Sequence, residues 1–363
     1  MQAPDASLAR LIDRVDSARA RRAPLEIRGG GTKRFYGEAP AGTPLDMTEL
    51  SGISSYEPTE LVVTARAGTR LEDLEAALEE HGQCLPFEPP RFAQGSTVGG
   101  MVAAGLSGPA RASAGSVRDH VLGITLLNGR SEVLTFGGQV SKNVAGYDVS
   151  RLLVGSLGVL GIICDVSMKV LPVSVATTTL TFDWDEQQAL ENLSRWAGQP
   201  WPINATAWHA ERLYLRLAGA RAAVATACER LGGERMETGA AKTWWLGVRD
   251  QSAEFFALDA ASSARGESLW RLSVPAVAAA LALPGQQFIE WGGAQRWWRT
   301  TAPGTEVREA AARAGGHATL IRGADRTQVF APLNSVLMRV HQGLKKAFDP
   351  DGIFNPGRLY AGL

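Results

Sequence analysis

A mixed α+β fold in two regions is what this sequence predicts, on three observations. Stretches with helical period and stretches with strand period alternate through the first half of the chain. Glycine, 40 residues in 363 against a usual ~7%, gathers in three knots before residue 173. All ten tryptophans come later, between Trp184 and Trp298. A length of 363 residues suits two domains at ~150 residues each, with the change of character near residue 174.

In chain order, Leu8, Leu11, Ile12 and Val15 form one helical face that must end before Pro24. Leu25 to Arg28 reads as a short strand running into the first knot, Gly29-Gly30-Gly31. Leu61 to Ala67 is another strand, followed by a helix. Its opening, Thr69 to Glu72, has capping-box spacing, and Leu71, Leu74 and Leu78 face inward. Asn128-Gly129 between two apolar runs predicts a hairpin over Ile124 to Phe136. Ile162 to Val170 alternates as a half-buried strand and stops at Pro172. Beyond residue 174, Ala220 to Leu231 and Val274 to Leu283 read as Ala-rich helices among Trp-bearing segments. Phe348 to Arg358 is polar turn chemistry.

Composition excludes several classes. With 45% hydrophobic and 20% charged residues the chain is neither disordered nor collagen-like. Equal numbers of basic and acidic residues, 37 and 37, argue against general nucleic-acid binding. Cys84, Cys164 and Cys228 are too few and too scattered for a disulfide framework or a four-thiolate iron–sulfur cluster. The first twenty residues lack the apolar core of a secretory signal. The longest apolar stretch, Leu152 to Cys164, falls short of the ~18 residues of a membrane span. A soluble, cytoplasmic protein is the expectation.

Clustered glycine marks backbone that turns tightly or lets a ligand approach. Arg28-Gly29-Gly30-Gly31-Thr32-Lys33 follows a strand, and its successive amides can converge on an anion, with pyrophosphate the natural guest. The spacing fits neither the Walker GxxxxGK[ST] loop nor a GxGxxG opening a helix. The second knot, Gly95 to Gly108, is a small-residue run that can lie against a ligand. The third, Gly155, Gly158 and Gly161, leads into the alternating strand. Together they point to a large dinucleotide on a different scaffold.

The order of RGGGTK (28–33), TVGGMVAAGLSG (97–108), AGSVRDHVLG (114–123), KNVAGYDVSRLLVGSLGVLGII (142–163) and FDPDGIFNPGR (348–358) resembles the FAD-binding oxidases of the vanillyl-alcohol-oxidase and p-cresol-methylhydroxylase (PCMH) type. Within that superfamily the chain is most similar to the FAD-binding subunits of bacterial glycolate oxidases. WRLSVP (270–275), WGGAQRWW (291–298) and GGHATL (315–320) extend the likeness over essentially the whole chain. The resemblance implies a two-part FAD-binding domain, residues 1–173 completed by residues 341–363. It also implies a smaller α+β cap with an antiparallel sheet, residues 174–340. Carried over by position, Gly29, Gly30, Gly31, Thr32 and Lys33 would hold the pyrophosphate. Thr97, Gly99, Gly100 and Gly105 would contact phosphates, ribose or flavin, with Gly115 close by. Gly161 and Ile162 would meet FAD through backbone groups, and Asn355 would sit near the isoalloxazine ring.

Three departures qualify the likeness. Thr32 stands where many relatives attach flavin through a histidine, which implies non-covalent FAD. Gly155-Ser156-Leu157-Gly158 stands where many read GSEG. The five histidines, His81, His120, His209, His317 and His341, show no paired spacing, so the histidine-rich metal motif of hydroxy-acid-oxidising relatives is missing and no metal site is expected.

Oxidising a 2-hydroxy acid needs a cation for the carboxylate and a base for the hydroxyl proton. Arg271 or Arg296 is the candidate cation and His317 the candidate base, against packed and structural readings of each. Tyr147 and Asp148 either tune the flavin or fix their loop. The leading expectation is the FAD subunit of a glycolate-oxidising complex with a second flavoprotein subunit and an iron–sulfur subunit, reaching a membrane only through those partners. The alternative is a non-catalytic FAD relay or scaffold whose partner holds the substrate site.

Overall fold

The computed structural model describes residues 5–138 and 148–363. The first part of the chain runs α1 (Ala6–Arg21), β1 (Leu25–Arg28), β2 (Thr43–Asp46), β3 (Ile53–Glu57), β4 (Val62–Arg66), α2 (Leu71–Glu79), β5 (Gln83–Cys84), α3 (Val98–Ala104), α4 (Arg111–Ala114), α5 (Val117–His120), β6 (Val121–Leu127), β7 (Val133–Gly137), α6 (Val149–Leu152), β8 (Ile162–Lys169) and β9 (Leu171–Pro172). A five-stranded antiparallel sheet is ordered β3-β4-β8-β6-β7. Beside it β1 and β2 pair in parallel, and β5 pairs with β9.

Local chemistry explains the boundaries and corrects two expectations. Asp5 caps α1 by accepting from Ser7 and Leu8 amides, and Arg22 in the left-handed conformation ends it. Thr69 does not cap α2. Its hydroxyl bonds the amide and carbonyl of Gly52 instead, while Arg70 takes the cap position and pairs with Asp73. The predicted hairpin is β6–β7, its loop held by Asn128 Oδ1, which accepts from the amides of Arg130 and Glu132. β8 is more than half-buried: six of its eight residues are buried, because two cores meet there. One core packs α2 and α3; the other packs α1, β1 and the tail residues Ile353 and Phe354.

The chain continues with β10 (Ala176–Phe182), α7 (Glu186–Ala197), β11 (Ile203–His209), β12 (Arg212–Gly219), α8 (Arg221–Leu231), β13 (Glu234–Arg235), α9 (Thr238–Arg249), α10 (Ala260–Ala264), β14 (Ser268–Ser273), β15 (Gln286–Glu290), β16 (Gln295–Thr300), α11 (Gly304–Arg313), β17 (His317–Arg322) and α12 (Ser335–Phe348). Its strands form one eight-stranded antiparallel sheet ordered β13-β10-β12-β11-β15-β16-β14-β17. The Val274 to Leu283 helix does not form; the segment is a loop bracketed by Pro275 and Pro284.

Strand alternation gives this sheet two unlike faces. One carries Leu180, Leu213, Leu215, Leu272 and Trp298 and is covered by α7, α8 and α11. The other carries Arg216, Glu290, Gln295, Trp297, Arg271 and Thr319, and packs through Trp297 and Phe288 toward Tyr36, Leu106 and Leu157 of the first part. The two sheets are stitched by Arg216 Nη2 on Glu88 at 2.7 Å, by Trp291 Nε1 donating to Gly108 O at 3.1 Å, and by Ser113 Oγ donating to Asn204 O at 2.7 Å.

The tail returns to β1. The amide of Leu25 donates to Ile353 O and that of Asn355 donates to Leu25 O. The turn before it is a buried ionic knot. Lys345 Nζ meets Asp349 at 2.8 Å and the carbonyls of Val159 and Phe354, while Asp349 accepts from the amides of Ile353 and Phe354.

Candidate functional site

The first knot leaves β1 against the loop that precedes α3. A methyl group on Gly29 would stand 2.2 Å from the Thr97 hydroxyl, and one on Gly30 only 1.7 Å from the Gly95 carbonyl oxygen. Among the described residues, no protein acceptor receives the N–H of Gly29, Gly30, Gly31, Thr32 or Lys33. Five successive unspent donors make an anion-binding nest. Lys33 Nζ lies 2.6 Å from Ser96 Oγ, and burial, partly offset by Asp250, pushes its ammonium down to about 8. A bound anion would restore what burial takes away.

These residues line a cleft shared with Thr97, Gly100, Ala103, Leu157 and Asn355. A second hollow continues past Gly29, Thr97 and Gly100 to Gly99, Gly158 and Gly161. Gly99 cannot take a side chain because a Cβ would stand 2.6 Å from that of Ala67. A long groove with a diphosphate-sized nest at one end and a wall without side chains fits a dinucleotide.

Of the residues expected here, Gly29 to Lys33, Thr97, Gly99, Gly100, Gly161 and Asn355 do converge. Gly105, Gly115 and Ile162 line neither hollow. Gly105 ends α3 at φ +63 against Gly155; Gly115 turns at φ +90 beside Asp119; Ile162 is wholly buried in the core with α1. Asn355 spends both ends of its amide on protein: Oδ1 accepts from Ile27 N at 2.7 Å and Nδ2 donates to Leu157 O at 2.6 Å. It clamps the cleft's walls. Arg358 was not singled out by the sequence, yet its buried guanidinium donates to the carbonyls of Lys33, Arg34, Tyr36 and Glu38 and fixes the loop after the nest. Tyr147 lies outside the described residues. Asp148 caps α6 through the amide of Arg151, which is the loop-fixing role.

The two candidate arginines separate. Arg296 lies on the helix-covered face, fully buried, donating to the carbonyls of Gly293, Ala278 and Ala279 and meeting Glu186 at 3.5 Å. It is a structural cation, not a substrate anchor. Arg271 lies on the other face, donates to Tyr36 Oη at 3.2 Å, and has no carboxylate partner among the described residues. His317 shares that face on the outermost strand and is exposed; partial loss of water around its ring and the charge of Arg271 hold it below its ordinary value. Glu290, unremarked in the sequence, is buried on the same face. Its Oε2 accepts from Trp297 Nε1 at 2.6 Å and Gln295 Nε2 at 3.0 Å. No group of three or more potential metal ligands occurs among the described residues.

Comparison with known proteins assigns the cofactor. Residues 6–137 match the FAD binding domain family. The chain is 46% identical over 353 residues to glycolate oxidase subunit GlcE of Escherichia coli (strain K12), covering 97% of each chain. It is 32% identical over 161 residues to glycolate oxidase subunit GlcD of Bacillus subtilis (strain 168), covering 44% of this chain and 34% of that one. Among solved structures, alkyldihydroxyacetonephosphate synthase superposes with a TM-score of 0.66 at 16% identity, covering 95% of this chain and 73% of that one, so the two share a fold. FAD is therefore the cofactor, and the chain belongs to the glycolate oxidase subunit GlcE family of FAD-dependent oxidoreductases.

Proposed function

We propose that this chain is the FAD-binding subunit of a complex that oxidises a small 2-hydroxy acid, glycolate to glyoxylate, and hands electrons to an iron–sulfur partner. The observation that carries the proposal is the full-length identity to a glycolate oxidase subunit together with a cleft whose free amides suit a diphosphate. The amides of Gly29 to Lys33 and the Lys33 ammonium hold the diphosphate; Thr97, Gly99 and Gly100 form the wall; Thr32 leaves FAD non-covalent. When bound, FAD supplies a two-electron acceptor. Arg271 fixes the substrate carboxylate and His317 is a candidate base. Residues 1–173 and 341–363 form the FAD domain and residues 174–340 the cap.

Three cysteines cannot supply four thiolates, so an iron–sulfur cluster belongs to a partner. No helix among the described residues is long and apolar enough to cross a membrane, and we place the complex in the cytoplasm, touching membrane only through partners.

A second reading, an FAD relay whose partner flavoprotein binds substrate, is favoured by the lack of a histidine cluster. One experiment separates them: anaerobic reduction of the flavin in the purified full chain by glycolate, with and without partner subunits. Reduction of the chain alone supports the first reading; reduction only in the complex supports the relay. A chain that retains no flavin defeats both.

A further inference from the structure

The polar face of the eight-stranded sheet holds a second piece of chemistry, and it is made of side chains. A small pocket lies where this face meets the loop after α3. It is walled by Pro90 and Leu106 to Gly108 on one side and by Arg271, Glu290, Gln295 and Trp297 on the other. Alternation puts all four of the latter on one face: Arg271 is opposite Trp297, and Glu290 is opposite Gln295.

Two features of the pocket suit a ligand. Arg271 is a guanidinium without a carboxylate partner among the described residues; its side chain donates to Tyr36 Oη at 3.2 Å. Glu290 is a carboxylate only 3% exposed that pairs with no cation. A buried carboxylate without a cation is costly unless it is protonated or a ligand completes it, and Arg271, bonded to Tyr36 Oη, has donors left for that ligand. The ligand that does so carries its own carboxylate for Arg271 and a hydroxyl for Glu290.

We propose that this pocket takes the 2-hydroxy acid, with Arg271 holding its carboxylate and Glu290 Oε1 accepting its hydroxyl proton. The assignment rests on the reading of the chain as a hydroxy-acid oxidoreductase and replaces His317 as the base. Trp297 and Gln295 occupy Oε2, and no described residue donates to Oε1. With FAD bound as the two-electron acceptor, Glu290 would hold the substrate O–H proton while the Cα–H hydrogen and its electron pair would leave to that acceptor. The C–O bond becomes C=O, leaving a 2-oxo acid and a protonated Glu290.

Burial lifts the Glu290 carboxyl to about 7, a value suited to a base at neutral pH. The charged groups around it are Glu88, which raises it further, Arg216, which lowers it, and Arg249 and Arg271 on the pocket wall.

The test uses the FAD-loaded full chain. Oxalate, a dead-end dianion, is titrated calorimetrically, and flavin bleaching by glycolate is followed anaerobically between pH 5.5 and 9. In the wild type, bleaching rises through pH 7 and oxalate binds. Glu290→Gln keeps oxalate binding within about threefold, loses ~100-fold or more in bleaching rate, and loses the rise through pH 7. Arg271→Met loses at least ~10-fold in oxalate affinity. Near-ultraviolet circular dichroism matching the wild type confirms folding, and Glu290→Asp recovers part of the rate with a shifted pH profile.

Unchanged bleaching in Glu290→Gln, or a collapse in His317→Asn with Glu290→Gln unaffected, overturns the assignment while leaving the oxidoreductase reading intact. A wild-type chain that holds flavin but neither binds oxalate nor bleaches with any 2-hydroxy acid removes both.

Discussion

The nucleotide cleft and the polar sheet face are built from opposite materials. The cleft is backbone: unspent amides from residue 29 to 33 and glycines at which an added methyl would collide with a neighbouring chain. The polar face is side chains, Arg271, Glu290, Gln295 and Trp297, held in register by strand pairing. Gly30 tolerates no side chain, because its clash is with the Gly95 carbonyl, main chain that cannot swing aside, whereas a methyl on Gly29 meets the Thr97 side chain. A site made of side chains can lose its chemistry and keep its fold.

Substitutions turn that contrast into measurements. Gly30→Ala is the most severe: its methyl would stand 1.7 Å from the Gly95 carbonyl, so we expect flavin content after purification to fall to background, with at least ~3 kcal/mol lost in urea unfolding. A chain that still purifies yellow would show that the two loops can separate. Asn355→Ala comes next. It leaves the amide of Ile27 and the carbonyl of Leu157 without their partners, at about 2–4 kcal/mol in all, read as a lower melting temperature with and without FAD.

Lys33→Met should leave the fold intact, or slightly stabilised by removal of a buried charge, and weaken FAD by ~10- to 100-fold in fluorescence titration. The wild-type affinity should also fall as pH climbs above about 8, where Lys33 loses its proton, and that fall should vanish in Lys33→Met. For the free protein the sign is reversed. A lysine depressed in the fold makes unfolding harder as pH rises from about 8 toward 10.5, because the unfolded chain then holds the extra proton.

The smallest effect is expected at Glu290. Its carboxyl is raised from 4.5 to about 7, so between those values the folded chain binds more protons than the unfolded one. Its contribution is present below 4.5 and is lost as pH rises through 7. Glu290→Gln should flatten the pH dependence of stability between pH 5 and 7 by about 2 kcal/mol in all. An unchanged slope would mean that Glu290 is not isolated from water.

The same contrast governs what could be read in the sequence. Clustered glycines leave a mark, so a nest and a hollow beside it could be expected from the three knots, while Asn355 was carried by the resemblance alone. Gly105, Gly115 and Ile162 were grouped with them, although their requirements are a helix end, a turn and a core position. The side-chain site was half legible. Arg271 and Arg296 look alike in sequence, and only the pairing of Leu272 with Arg296 shows that they face opposite ways. Glu290 left a faint signal, an acid in phase with Phe288 on the inward side of an apolar strand. The segment from Val274 to Leu283 has helical composition, yet the carbonyls of Ala278 and Ala279 are spent on Arg296, which a closed helix would not permit. Long-range demand overrode local preference.

The return of the tail to β1 also sets a timetable. Ile27 and Asn355 are 328 residues apart, and at ~5–20 residues per second a ribosome takes roughly 16–66 s to travel between them. Throughout that interval the strand that delivers the first glycine knot lacks its bonds to Ile353 and Asn355. The walls of the cleft are therefore clamped only after residue 355 has been made. A message cut short before residue 353 would yield a chain with most of its two large sheets and no place for its cofactor.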